Sequence, residues 1–165
     1  MADSMDAPAP PTVPQDTLPV VLTLAVQGDA GFLYDLWDNE ARRQSLSGGP
    51  PTFEAHLAWL KAVLADPHVF LFVAIERGVR VGSARLDADG STATVSVNVA
   101  RSARRRGLGA AILRALDTGA RAVGVGELVA EILEGNPGSR PAFLNAGYRL
   151  EEWKDGVGTM RRTLQ

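Results

Sequence analysis

The stretch from Thr92 to Asp117, TATVSVNVARSARRRGLGAAILRALD, constrains the fold more than any other part of the chain. Its first part alternates valine with polar residues, which predicts a β-strand over residues 93–100. Its last part, from Leu108 to Leu116, places leucine and isoleucine on one face of a helix, with alanines between them. The stretch therefore predicts a strand that leads through a short turn into an amphipathic helix.

The turn between this strand and helix reads Arg104-Arg105-Arg106-Gly107-Leu108-Gly109. A helix start offers N–H groups without intrahelical partners and the positive end of the dipole, and glycine lets a ligand approach the backbone closely. These properties favour an anion such as a pyrophosphate. The turn lacks the Walker pattern, and the first glycine of the dinucleotide fingerprint would fall at position 105, where arginine stands. The alternative is a surface turn with a chance cluster of arginines.

Composition excludes several classes of protein. A chain of 165 residues with 45% apolar and 22% charged residues predicts one ordinary globular domain. The net charge of −2 argues against nucleic-acid binding. Because there is no cysteine, disulfides, thiolate metal sites and a cysteine nucleophile are excluded, and we expect no metal. No signal peptide or membrane span is recognisable, so we expect a cytoplasmic protein that does not bind membranes.

The order of predicted elements defines a fold class. Residues 1–17 are rich in proline without apolar periodicity and are predicted to be a disordered tail, which leaves residues 18–165 as the domain. Helices are predicted over residues 30–43, 53–64, 108–116 and 139–145. Strands are predicted over residues 20–26, 69–75, 79–86, 93–100, 128–133, 148–153 and 157–163. The resulting order is β-α-α-β-β-β-α-β-α-β-β, an α/β (α+β) arrangement.

Two sequence motifs each begin shortly after a predicted strand in this order. Arg104, Gly107 and Gly109 fit the pattern Arg/Gln-x-x-Gly-x-Gly/Ala at the strand-to-helix turn. A later pattern, Asn-x-x-Ala/Ser-x-x-x-Tyr-x-x-x-Gly-Phe, has its counterparts at Asn136, Ser139, Phe143, Gly147 and Tyr148. With both motifs, residues 18–163 resemble the GNAT acetyltransferase superfamily. The resemblance implies a mixed, mostly antiparallel, twisted seven-stranded sheet with splayed fourth and fifth strands, flanked by about four helices.

The resemblance also implies acetyl-CoA as co-substrate and assigns its contacts. Its pantetheine and thioester would meet Val97, Asn98 and Val99. Its pyrophosphate would be held by the backbone N–H groups of Arg104 to Gly109, with the arginine side chains assisting. Asn136, Ser139 and Phe143 would face the far side of the cofactor, although the first two are also typical of a turn and a helix cap.

Phe143 departs from the motif, because many family members have a tyrosine there that protonates the departing thiolate. Three alternatives remain. The CoA thiol is protonated by water or another donor, or Tyr148 or Tyr34 takes the place of the missing tyrosine. In the third, the domain binds acyl-CoA without efficient turnover. A general base is also required to deprotonate the amine. Glu131, five residues before Asn136, is the first candidate and Glu134 the second; a solvent-facing edge residue is the alternative for Glu131.

The N-terminal half resembles N-acetyltransferases of nucleotide-linked amino sugars, including those of the pseudaminic-acid pathway. The residues that carry this resemblance are Trp37, Asn39, Arg43, His56 and Trp59. Arg42 or Arg43 would meet a diphosphate and Trp59 would stack on a sugar or base. The alternative is that both tryptophans belong to the core, both arginines are solvated and His56 is structural.

The sequence thus predicts an N-acetyltransferase that moves an acetyl group from acetyl-CoA to a primary amine by direct transfer in a ternary complex. A cysteine-linked intermediate is excluded, since the chain has no cysteine. The acceptor is expected to be a small-molecule amine, with an amino-sugar nucleotide as first candidate and a protein N-terminus or another small amine as alternatives. A non-catalytic acyl-CoA-binding or sensor module is the alternative from another class. The expected assembly is a monomer or a homodimer.

Overall fold

The computed structural model describes residues 19–165, so the predicted tail of residues 1–17 lies outside the described residues. The strands are β1 (Val21–Leu24), β2 (Val69–Glu76), β3 (Val79–Asp89), β4 (Thr92–Val99), β5 (Glu127–Leu133), β6 (Arg149–Lys154) and β7 (Val157–Thr163). The helices are α1 (Ala30–Asp35), α2 (Asn39–Arg43), α3 (Phe53–Ala65), α4 (Leu108–Ala122) and α5 (Ser139–Asn145). Short 3₁₀ turns cover Gln27–Asp29 and Arg101–Ala103.

All seven strands form one sheet in the order β1-β2-β3-β4-β5-β7-β6. Neighbouring strands are antiparallel except for β4 and β5, which run parallel. The β4–β5 register covers only three pairs and ends at Thr94 and Val129. Both strands continue beyond that point, to Val99 and Leu133, without pairing with each other. The predicted mixed sheet with splayed fourth and fifth strands is therefore confirmed.

Helices cover both faces of the sheet. The amphipathic helix α4 buries Ile112, Leu113 and Leu116 against one face, together with α5. Helices α1 and α3 cover β2 on the other face, where Leu60 of α3 packs with Leu71 of β2. On this second face the helices leave the exposed Thr94 and Ser96 of β4 uncovered. The splay between β4 and β5 therefore opens onto a surface that is accessible from the α1 and α3 side.

The predicted helix over residues 30–43 is wrong in one respect, because the chain forms two helices there. Asp38 adopts an extended conformation between them, and its Oδ1 accepts a hydrogen bond from the Ala41 N–H at 2.8 Å. An aspartate that caps the next helix offers the backbone an alternative to helix continuation. Thr52 caps α3, because its Oγ1 accepts a hydrogen bond from the Ala55 N–H at 3.0 Å.

Candidate functional site

The open end of the β4–β5 splay contains the three residues predicted to meet a pantetheine. Val97, Asn98 and Val99 are half-buried and follow the last paired residue of β4. The Asn98 side chain is hydrogen-bonded to the end of α1, because its Nδ2 donates to the Leu36 carbonyl at 3.4 Å. The edge of β4 that faces β5 thus has unpaired backbone in the middle of a sheet, which is costly unless another group pairs with it.

The turn before α4 presents a row of free N–H groups next to this splay. Within residues 19–165, no acceptor receives a hydrogen bond from the backbone N–H groups of residues 105–109. Gly107 has a φ of 74°, and a Cβ placed on it would have no heavy atom within 4 Å. The N-terminus of the 15-residue helix α4 adds the positive end of its dipole. This geometry fits an anionic group of the size of a pyrophosphate.

The three arginines of the turn have different environments. Arg104 donates from Nε to the Val99 carbonyl at 3.1 Å and pairs with two carboxylates of the α2 segment, Asp38 and Glu40. Arg106 donates from Nη2 to both carboxylate oxygens of the buried Glu76, at 2.9 and 3.1 Å. Arg105 is exposed and has no hydrogen-bond or ion-pair partner in the described part of the chain. The predicted assistance of an anion by side chains therefore fits Arg105 best.

Gly109 and the α5 residues are involved in packing. A Cβ on Gly109 would lie 3.3 Å from the Ala142 Cβ, so this glycine allows α4 and α5 to approach each other. Asn136 accepts the Ser139 N–H through Oδ1 at 3.2 Å, which is the turn chemistry that the sequence left as an alternative. Phe143 is only 5% exposed and meets the Tyr148 ring edge-on at 5.0 Å.

Both tyrosines considered as proton donors take part in ring contacts with other side chains. Tyr148 is buried, its hydroxyl has no hydrogen-bond partner among residues 19–165, and burial raises its pKa well above the ordinary value. Its ring lies near the Arg162 guanidinium, and Arg162 is in register with Leu128, where β4 and β5 are still paired. Tyr34 packs edge-on against Phe53, with ring centroids 5.3 Å apart. Their positions favour packing roles for both.

The two candidate bases differ in position. Glu131 lies two residues beyond the last β4–β5 pair and is exposed, with no ion pair among residues 19–165. Because side chains alternate along a strand, it shares the uncovered face with Asn98, opposite to the buried Ala130 and Ile132. Glu134 follows the end of β5 and lines a groove of about 510 Å³ beside the β6–β7 turn. Glu131 is therefore the better placed at the splay.

The residues predicted to bind a substrate are dispersed. Trp37 is half-buried and lies against Gly49, where a Cβ would be 2.5 Å from its Cε3. Arg42 donates to three carbonyl groups, those of Trp37, Gly48 and Pro50. These bonds use Nε and Nη1 of the guanidinium within its own segment, so they do not favour the expected contact of Arg42 with a diphosphate. Arg43 is exposed and lines a groove of about 470 Å³ with Asp38, Asn39, Glu40 and Arg101.

His56 and Trp59 belong mainly to the packing of α3. His56 is fully buried, its Nε2 lies 3.0 Å from the Ala30 carbonyl, and its Nδ1 has no partner in residues 19–165. Burial lowers its pKa. The structural alternative thus describes His56 better than substrate binding. Trp59 stacks on His56, and the Arg85 guanidinium lies 5.7 Å from its ring centroid, so the Trp59 ring already contacts two side chains.

The sequence did not predict that Asp38 and Glu40 pair with Arg104 at the turn before α4. Burial alone would raise the pKa of Asp38, but hydrogen bonds from Ala41 and Arg104 outweigh this effect and lower it. The only signal in the sequence is that Asp38 precedes a possible helix start, which does not indicate a partner 66 residues away. No group of three or more His, Asp or Glu residues within 19–165 is arranged to hold a metal. In the same range no helix has the length and apolar character needed to cross a bilayer.

The sequence matches a family model over residues 32–148, and that family is described as the acetyltransferase (GNAT) family. No curated protein matches the chain in sequence.

Several solved structures share the fold. An aminoglycoside acetyltransferase, AAC(6')-Ib, in complex with coenzyme A is 22% identical, with a TM-score of 0.74 over 87% of this chain and 94% of that one. Spermidine N-acetyltransferase from Vibrio cholerae, in complex with CoA and spermine, is 14% identical, with a TM-score of 0.76 over 88% of this chain and 95% of that one. A putative acetyltransferase from Salmonella typhimurium with acetyl-CoA is 22% identical, with a TM-score of 0.70 over 90% of this chain and 95% of that one.

Proposed function

Because the chain belongs to the acetyltransferase (GNAT) family, we propose that it transfers an acetyl group from acetyl-CoA to a primary amine of a small molecule, by direct attack in a ternary complex. Family membership confirms the acetyltransferase class predicted from the two motifs. The observation that carries the proposal for this chain is the row of free N–H groups at residues 105–109, placed beside the splay of β4 and β5.

The donor would be held by two sets of backbone groups. The N–H groups of residues 105–109 would bind the pyrophosphate, with the exposed Arg105 guanidinium adding charge-assisted bonds. The unpaired edge of β4 from Val97 to Val99 would pair with the amides of the pantetheine arm. Each such bond contributes a net stabilisation of about 1 kcal/mol. The arm would thus complete the ladder that β4 and β5 leave open and bring the thioester to the uncovered face.

The chemical step requires one proton to leave the amine and one to reach the sulfur. The amine nitrogen attacks the thioester carbonyl carbon, the new C–N bond forms, and the C–S bond breaks with its electron pair on sulfur. Glu131 would take the amine proton, directly or through a water, because it is free of ion pairs within residues 19–165 and faces the side from which an amine enters. Glu134 remains the second candidate.

We assign the proton that reaches the sulfur to solvent. Phe143 cannot donate one, and the buried Tyr148 lies level with the paired part of the sheet. The variant Phe143→Tyr tests this assignment. We expect its turnover to stay within about twofold of wild type, whereas a rise of tenfold or more would mean that a missing hydroxyl limits the reaction.

Two classes of acceptor are proposed. An amino-sugar nucleotide is suggested by the sequence resemblance, and the exposed Arg43 is compatible with it. Arg42, which bonds to carbonyl groups of its own segment, and the buried His56 add no support to this suggestion. Similarity to aminoglycoside and spermidine acetyltransferases suggests an amine without a nucleotide, such as an aminoglycoside or a polyamine.

The proposal is tested by mixing the full chain with acetyl-CoA and a panel of amines and following the release of free thiol. The panel contains a nucleotide-linked amino sugar, kanamycin, spermidine and a peptide with a free N-terminus. We expect thiol release with at least one small amine and none above background without an amine. Binding of acetyl-CoA without turnover on any amine would instead support the non-catalytic acyl-CoA-binding module.

A further inference from the structure

The segment between α1 and α3 is held in place by polar contacts. Helix α2 has no buried residue, so burial of apolar surface does not fix it to the core. The two ends of the segment contact each other. Arg42 donates hydrogen bonds to the carbonyl groups of Trp37, Gly48 and Pro50, and the Trp37 ring lies against Gly49. We call residues 37–50 the flap. It lies next to the open end of β4, because Asn98 bonds to the Leu36 carbonyl just before it.

A single arginine connects the flap to the turn that begins α4. Arg104 Nη1 lies 2.8 Å from Asp38 Oδ2 and 3.1 Å from Glu40 Oε2. These are the only ion pairs between the flap and the other described residues. At the same time Arg104 Nε donates to the Val99 carbonyl at the end of β4. One guanidinium thus joins the flap, the end of β4 and the anion-binding turn.

Asp38 has two roles in this connection. Its Oδ1 caps α2 through the Ala41 N–H, while its Oδ2 accepts from Arg104. Burial alone would raise its pKa, but these hydrogen bonds outweigh burial and lower it, so the carboxylate stays charged at neutral pH. Contact with Arg104 and the start of α2 are therefore coupled through one side chain.

We propose that Arg104 is a positioning residue that latches the flap to the anion-binding turn, so that CoA bound at residues 105–109 orders the flap on the acceptor side. The motif assigns Arg104 to the cofactor, but its side chain is committed to Asp38, Glu40 and Val99 and is only 20% exposed. A ligand that immobilises the turn through its N–H groups also immobilises the base of the Arg104 side chain. Coupling of two sites through one such element is reciprocal, so an ordered flap also favours the cofactor. The choice of CoA as ligand rests on the proposed function, whereas the latch itself does not.

Hydrogen exchange of the flap amides tests the latch without any amine substrate. In Arg104→Gln without ligand, we expect the hydrogen-bonded amides of Ala41, Arg42 and Gln44 to exchange about tenfold faster than in wild type, since hydrogen bonds to charged groups are lost. Asp38→Asn should also accelerate exchange, because asparagine keeps the cap but loses the charge that faces Arg104. Arg105→Gln is the matched control: it removes the same charge from the same turn, and Arg105 has no partner in the described residues. Flap exchange should be unchanged in it.

Addition of CoA tests the coupling. CoA should slow flap exchange in wild type by up to about threefold and leave it unchanged in Arg104→Gln. The CoA affinity of Arg104→Gln, measured by calorimetry, should fall by no more than the same factor of about three, because the coupling is reciprocal. Arg105→Gln should bind CoA more weakly. Circular dichroism establishes that each variant is folded, and Arg104→Lys, which keeps the charge without the fork of donors, replaces Arg104→Gln if that variant does not fold.

Unchanged exchange of the flap in unliganded Arg104→Gln would overturn the latch. A tenfold loss of CoA affinity in that variant with unchanged flap exchange would make Arg104 a phosphate ligand. Equal slowing by CoA in wild type and Arg104→Gln would refute the coupling. If wild type binds no CoA, the proposed function fails, and the comparison of the unliganded proteins still decides whether the latch exists.

Discussion

Gly82 on β3 lets the backbone of β3 approach the backbone of β4 closely at the end of β4 that does not pair with β5. It is paired with Val99, and a Cβ placed on it would lie 2.4 Å from the Asn98 carbonyl oxygen and 3.2 Å from Ile112 Cδ1. Real Cβ atoms essentially never approach a heavy atom closer than 3.0 Å. Because the first contact is with backbone, no side-chain rotation can relieve it. In Gly82→Ala, β3 and β4 must therefore move apart at the residues predicted to meet the cofactor.

We expect Gly82→Ala to lose about 1–3 kcal/mol of stability, the usual cost of overpacking a core. For a domain of this size, that loss lowers Tm by roughly 2–12 °C. CoA affinity should fall as well, because β4 is displaced between Asn98 and Val99. The matched control is Gly31→Ala in α1, where a Cβ meets nothing within 4 Å and alanine favours a helix. Thermal unfolding and calorimetry measure both effects; Gly82→Ala with the Tm and CoA affinity of wild type would refute the reasoning.

Three further predictions follow from single residues. Glu131→Gln should lower kcat/KM by about 10²–10⁴-fold with unchanged CoA affinity; a loss in Glu134→Gln alone would move the base to Glu134. Gly107→Val should abolish CoA binding measured by calorimetry. It should also cost about 1–3 kcal/mol of stability, because valine is strained in the left-handed conformation of Gly107. Retained CoA affinity would exclude this turn as the pyrophosphate site. Because burial lowers the pKa of His56, the unfolded state takes up the proton first, so stability should fall as pH decreases below about 6.5. Urea unfolding should show this fall reduced in His56→Leu and retained in His68→Gln.

The order of elements was predictable from the sequence because each element carries its own periodicity and boundary residues. The helices predicted at residues 53–64 and 139–145 correspond to α3 and α5 within one residue. The break between α1 and α2 was missed because apolar residues continue through Leu36 and Trp37 with helical spacing. The Ala41 N–H donates to Asp38 Oδ1, which starts a separate helix at Asn39, and an aspartate at that position is equally compatible with a helix surface.

The N–H groups without intrahelical partners and the left-handed Gly107 in the turn at residues 104–109 were predictable, because both follow from local sequence. The partners of its arginines were not predictable, since they depend on contacts between distant segments. Asp38 and Arg104 are 66 residues apart, and Glu76 and Arg106 are 30 apart. The same limit applies to His56, whose spacing on α3 fits either a buried or an exposed face until the position of Ala30 is known.

Transfer of the acetyl group itself is the most direct test of the proposed function. The full chain is incubated with acetyl-CoA and the amine that gives the fastest thiol release, and mass spectrometry quantifies acetylated amine and free CoA together. Direct transfer predicts equal amounts of the two products, with neither formed by Gly107→Val. Free CoA without acetylated amine, or no product with any amine of the panel although acetyl-CoA binds, would contradict the assignment of this protein as an N-acetyltransferase.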